Sequence, residues 1–198
     1  MDKFKLRYKP WVGENYEASK YGKLLLLGES HYLNSDKDGS TYTSQVVREA
    51  IKSQSGMYTS FFRTIELIFD RANDHEVFWH EIAFANLIQT GLVTSNSQPT
   101  EEERSSIAPA FYHLLQLLQP NYVIVCSKRM WNNWIPAGNG SEVKKFSVEN
   151  KLLEIWHYQY PGGHCLVTGI NHPSRIWGQS YKIWRKLVQK FLAFQKPS

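Results

Sequence analysis

The side chains best suited to chemistry fall in four short clusters, each at the end of an apolar run. Gly28-Glu29-Ser30-His31-Tyr32 places a carboxylate, a hydroxyl, an imidazole and a phenol on consecutive positions. Asn86 is followed closely by Gln89 and Thr90, Ser127 by Lys128 and Arg129, and Asn171 by His172, Pro173, Ser174 and Arg175. A carboxylate or an imidazole moves protons or orients water. An amide offers both a donor and an acceptor, and a fixed donor stabilises charge that develops during a reaction. Taken singly, each has a plain structural reading: Glu29 is then a surface carboxylate and His31 a hydrogen-bonded packing residue. Convergence of all four on one rim defines a candidate site.

A fifth cluster, His75, Glu76, His80 and Glu81, has its two histidines five residues apart. The spacing misses the four-residue interval that puts two ligands on one helix face, so no metal site is read there.

The elements that must position these groups follow from the apolar pattern. Residues 23–28 (KLLLLG), 82–87 (IAFANL), 122–126 (YVIVC) and 165–169 (CLVTG) read as short buried strands. A less regular strand lies around 152–157. Helical periodicity covers about 44–53, 58–71 and 179–194. Thr100-Glu101-Glu102-Glu103 fits a capping box opening a helix to about Gln119, broken near Pro109 and closed by Pro120. Ser127 caps a short helix, 33–41 reads as loop, and residues 1–20 as an irregular arm pinned by Pro10 and Trp11. Strands alternating with helices indicate an α/β three-layer sandwich around a short, mostly parallel four-stranded sheet, one domain over 1–198. In such sheets ligands bind beyond the carboxyl ends of the strands, where the four clusters fall.

Composition narrows the class. With 28 aromatics (7 Trp, 11 Tyr, 10 Phe) the chain has material for a core, which excludes wholesale disorder. No apolar run approaches the roughly 20 residues of a bilayer span, and the N-terminus lacks the apolar stretch of a secretory signal. Two cysteines, Cys126 and Cys165, exclude a disulfide scaffold or a four-cysteine metal centre. These features suggest a cytoplasmic monomer, nucleoid-associated if bacterial. The net charge of +5 permits a polyanionic partner without identifying one.

The ordered segments LLLLGESHY, ANLIQT, LQPNYVIVCSKRMW and LVTGINHPSR resemble the uracil-DNA glycosylase superfamily, with matching order and strand context over about residues 23–190. The resemblance implies the fold just described, DNA (duplex or single-stranded) as partner, no cofactor, and hydrolysis of an N-glycosidic bond after the base is flipped from the stack. It implies catalytic roles for Glu29, with His31, in orienting water and for His172 in stabilising the leaving base. Asn86 would read the base edge, with Ser30, Tyr32 and the stacking ring of Tyr42 completing the base site. DNA contacts are implied at Ser127, Lys128, Ser174 and Arg175, with Ile176 or Trp177 as a wedge. Trp177 read only as a seat for the last helix is the plain alternative.

The sequence departs from the family pattern in two places. Ser30 stands where a major branch carries its water-activating Asp, and His31 replaces a proline. The cluster cysteines of some relatives are missing, so no iron–sulfur cluster is expected. Two other readings stay open: a non-catalytic nucleic-acid-binding or sensing protein of this fold, and a nucleoside or nucleotide hydrolase.

Overall fold

A computed structural model describes residues 4–32, 39–53, 59–92 and 98–194. The strands are β1 (Trp11–Val12), β2 (Leu24–Gly28), β3 (His31–Tyr32), β4 (Ala83–Asn86), β5 (Gly91–Leu92), β6 (Tyr122–Val125), β7 (Gly140–Val148), β8 (Lys151–Tyr160) and β9 (Gly163–Gly169). The helices are α1 (Tyr42–Lys52), α2 (Thr59–Ile68), α3 (His75–His80), α4 (Glu101–Ser105), α5 (Ile107–Leu118), α6 (Lys128–Asn133) and α7 (Tyr181–Leu192).

A leucine run without a polar face is stable as a strand only where both faces are covered, and every residue of β2 is buried. Its side chains alternate. Leu24 and Leu26 enter a core formed with Ile65 and Ile68 of α2 and Trp184, Leu187, Val188 and Phe191 of α7. Leu25 and Leu27 enter a second core with Phe111, Leu114, Leu115 and Leu118 of α5 and Met130 and Trp131 of α6. Helices therefore cover both faces of an α/β structure.

The expected four-stranded, mostly parallel sheet is corrected to a mixed sheet of seven strands in the order β1-β4-β2-β6-β9-β8-β7. Strands β4, β2, β6 and β9 run parallel to one another, while β1 joins β4, β8 joins β9 and β7 joins β8 antiparallel. One edge comes from the N-terminal arm, where Trp11 pairs with Phe84 and its indole N–H donates to the Trp79 carbonyl at 2.8 Å. The other is the long β7–β8 hairpin. Residues β3 and β5 form a separate parallel pair.

Smaller expectations sort similarly. The Thr100–Glu103 capping box is present, with the Glu103 amide donating to the Thr100 hydroxyl and the Thr100 amide to the Glu103 carboxylate. The helix break falls at Ser106 rather than near Pro109. Pro109 is the third residue of α5, where a missing N–H leaves no helical bond unmade. Helix α3 buries Phe78 and Trp79, and no group of three or more potential metal ligands occurs among the described residues. Cys126 and Cys165 are buried free thiols. No helix among the described residues is long and apolar enough to cross a membrane. Most of the segment read as loop at 33–41 lies outside the described residues.

Candidate functional site

Strand register brings the clusters to one edge. Gly28 pairs with Asn86, Leu27 with Val125, and Val125 with Gly169, so Glu29, Ser127 and His172 all leave the sheet on the same side. Backbone bonds extend this order past the strands: Cys126 N–H donates to Leu27 O at 2.8 Å, Ile170 N–H to Val125 O at 2.9 Å, and Ile88 N–H to Glu29 O at 2.9 Å.

Asn86 is 5% exposed, yet its side-chain amide makes no hydrogen bond among the described residues. An amide offers a donor and an acceptor, and at a strand end both are available to the edge of a ligand. It lies against Gly28, where any Cβ would collide with Asn86 Oδ1. Glycine is required there by close approach. The backbone carbonyl of Asn86 accepts from Gln89 Nε2 at 2.7 Å, and Gln89 Oε1 accepts from the Tyr8 amide at 3.1 Å. Gln89 thus ties the N-terminal arm to the rim.

Glu29 is buried with both carboxylate oxygens engaged. Oε1 pairs with the Arg129 guanidinium, and Oε2 accepts from the Ser127 hydroxyl at 3.3 Å. That hydroxyl also accepts from the Met130 amide at 3.3 Å as the N-cap of α6, which commits Ser127 inside the protein. Arg129 further donates from Nη1 to Gln98 Oε1 at 3.0 Å, and its guanidinium lies over Trp134, 5.1 Å from the ring centroid. Helix α6 is seated directly on the end of β9, since a Cβ at Gly169 would collide with the Trp131 side chain.

His172 opens a 3-10 turn over Pro173–Arg175. Its Nδ1 shares a hydrogen bond of 2.7 Å with Ser174 Oγ, and its ring packs 5.4 Å from Phe61. Burial, then the charges of Arg175 and Arg129, lower its pKa to about 4, so the imidazole is neutral at pH 7. Nε2 has no partner among the described residues, and it would carry the ring proton in the tautomer in which the Ser174 hydroxyl donates to Nδ1.

His31 has another setting. It is 2% exposed, Nε2 shares a 2.9 Å hydrogen bond with Thr43 Oγ1, and its ring meets those of Tyr8 and Tyr42 edge-on at 4.8 Å each. Burial lowers its pKa to about 4. Tyr42, expected as the stacking platform, is itself buried in this aromatic cluster. The partly exposed ring beside His172 is Phe61, which also meets Phe84 at 5.9 Å. Tyr32 is half-buried, and its pKa is raised by burial and by Glu29, against the opposing influence of Ser30, Arg129 and Arg175. The Ser30 hydroxyl is close enough to act on that phenol, but it is buried without a fully formed hydrogen bond.

The remaining expected DNA contacts differ in access. Lys128 is half-buried, and burial lowers its pKa against the pull of Glu154. Arg175 is exposed with no side-chain partner among the described residues. Ile176 packs against the core, whereas Trp177 is 77% exposed. Trp184, fully buried on α7, seats the last helix instead. Sequence reading missed Phe61 as a site neighbour and Arg129 as the partner of Glu29. The available signal for Arg129 was its place four residues beyond the end of β6, on the rim that already held Glu29.

No protein-family model matches the chain, and no curated protein matches its sequence.

Proposed function

We propose that the protein is a monofunctional DNA N-glycosylase acting on a uracil-like or modified base. The observation that carries this reading is Asn86, whose side-chain amide has no hydrogen bond among the described residues, held against the Cβ-less backbone of Gly28 on the rim that also bears His172. A free donor–acceptor pair in that position suits the edge of a pyrimidine.

In the reaction, water adds to C1′ of the deoxyribose while the C1′–N bond breaks, and the bonding pair leaves on the base. The neutral His172 donates from Nε2 to the oxygen on which that charge collects, and solvent supplies the proton that finally neutralises the base. The proton lost by the attacking water passes to solvent or to a free lone pair of Glu29, whose two oxygens are already steadied by Arg129 and Ser127. Tyr32 walls the site, Trp177 stands free to enter the gap left by the base, and Arg175, Lys128 and Ser174 face the backbone.

A second reading, binding without turnover, is favoured by one observation. Ser30 stands at the position of a water-activating carboxylate, and both oxygens of the adjacent Glu29 are occupied. Oligonucleotides containing uracil, hypoxanthine, or hydroxymethylated or glycosylated pyrimidines separate the two. Abasic sites are expected on at least one. Binding with no abasic product on any of them overturns the glycosylase reading in favour of the second.

A further inference from the structure

Arg129 neutralises the buried Glu29 and still has donors to spare. Its carboxylate partner is buried, but the guanidinium itself is 35% exposed and is aimed along the site rim by three separate restraints: the Glu29 pair, the Gln98 bond and the Trp134 face. Two of its five N–H donors are used in those bonds, leaving the others for a ligand. A planar guanidinium fixed this way is suited to a phosphate, which accepts two parallel N–H bonds.

A second guanidinium stands nearby. Strands β6 and β9 are neighbours, α6 follows β6 within three residues, and the turn bearing His172 and Arg175 follows β9. The contact of Trp131 with Gly169 presses α6 onto that end of β9. Arg175 is tied to His172 by its amide, which donates to the His172 carbonyl at 2.8 Å, while its side chain has no partner among the described residues. Both arginine charges reach both Tyr32 and His172. Among the described residues, the carboxylate acting on Tyr32 is Glu29, which is already paired with Arg129.

We infer that Arg129 and Arg175 form a phosphate clamp beside the base site, with Glu29 as the residue that positions Arg129, so that the ligand is a nucleotide of a polynucleotide strand and not a free nucleoside or base. The inference rests on the base-binding reading of Asn86 for the identity of the neighbouring group. The phosphate contact is tested independently of turnover.

The test measures binding of a short, labelled single-stranded oligonucleotide carrying one uracil, by fluorescence anisotropy over a series of salt concentrations. Each phosphate contact contributes about 0.7 to the slope of log affinity against log salt for a single strand. Arg129→Gln and Arg175→Gln are each expected to lower that slope by about 0.7. Lys190→Gln, at an exposed position on α7, is expected to leave it unchanged. Arg175 makes no side-chain bond among the described residues, so its variant reports even where Arg129→Gln fails to fold. Glu29→Gln is expected to weaken binding while uridine remains a poor competitor, as loss of aim predicts. Slopes unchanged in both arginine variants, or lowered equally by Lys190→Gln, overturn the clamp. Displacement of the oligonucleotide by uridine as readily as by uridine monophosphate overturns it too. Displacement by the monophosphate at the level of the oligonucleotide assigns the clamp to a phosphate monoester and overturns the polynucleotide part of the inference. A lowered slope with no abasic product leaves the clamp standing and removes the glycosylase reading.

Discussion

His31 and His172 have nearly the same acidity and opposite surroundings. Burial brings both imidazoles to a pKa of about 4. Around His31 the protein closes completely: Thr43 takes Nε2, and Tyr8 and Tyr42 cover the ring. Around His172 it closes on one side only. Ser174 takes Nδ1, Phe61 supports the ring, and Nε2 is left unpartnered among the described residues. Desolvation makes a histidine neutral in either place, so a depressed pKa does not distinguish packing from chemistry. The openness of the setting does: His31 is 2% exposed, whereas His172 is only partly buried.

The largest expected effect breaks the comparison on the His172 side. Removing a donor to developing charge lowers turnover by about 10²–10³. His172→Ala is expected to show such a loss in an abasic-site assay, while His31→Phe keeps turnover of the same order. Equal losses in the two variants would erase the distinction drawn here. Wild-type turnover should be flat through neutrality, because His172 keeps one protonation state until the pH approaches 4.

Next in size is a stability effect on the His31 side. The unfolded chain takes up this proton near pH 6.5 and the folded chain only near 4, so in that window the unfolded state holds more protons. About 3 kcal/mol of stability, present above pH 6.5, is therefore expected to be lost as pH falls through the folded pKa near 4. Denaturant titrations across that range check it, and a flat profile in wild type contradicts the closed setting of His31.

Smaller effects sharpen the picture. Ser174→Ala leaves Nδ1 of His172 without its partner and should cost about 1 kcal/mol, read as a roughly fivefold drop in turnover without a change in melting temperature. Trp177→Ala should change stability by less than about 0.5 kcal/mol by chemical denaturation, since the ring is almost wholly in solvent. A larger loss would return Trp177 to a packing role.

Much of the frame was legible because apolar runs dictate buried strands. The Leu24–Gly28 run and the Cys165–Gly169 run had no polar face, so only the centre of a covered sheet suits them. The hairpin was not legible for the opposite reason. Gly140–Val148 is an edge strand with lysines and a glutamate among its few apolar residues, and its extended form is fixed by pairing with β8 rather than by any pattern of its own. The trio Glu29, Asn86 and His172 could be placed on one rim because each ends or follows a recognisable strand. Their partners could not. Arg129 lies a hundred positions from Glu29 in the chain, and the two meet only because β2 and β6 are neighbours in register. Tyr42 and Phe61 show the same limit for rings: sequence position suggested one as a platform, and helix packing buried it while leaving the other beside His172.

The contact between Trp131 and Gly169 sets how closely α6, the helix that carries Arg129, approaches the end of β9. Because the strand end offers no side chain at 169, the helix lies flush and its first turn meets Glu29. An alanine there would act as a shim, tilting the whole first turn outward and separating cation from carboxylate without altering a single charge. Relatives of this chain that carry a bulkier residue at that position should have this helix displaced from the carboxylate, so the rim can drift in evolution through a residue that makes no polar contact of its own.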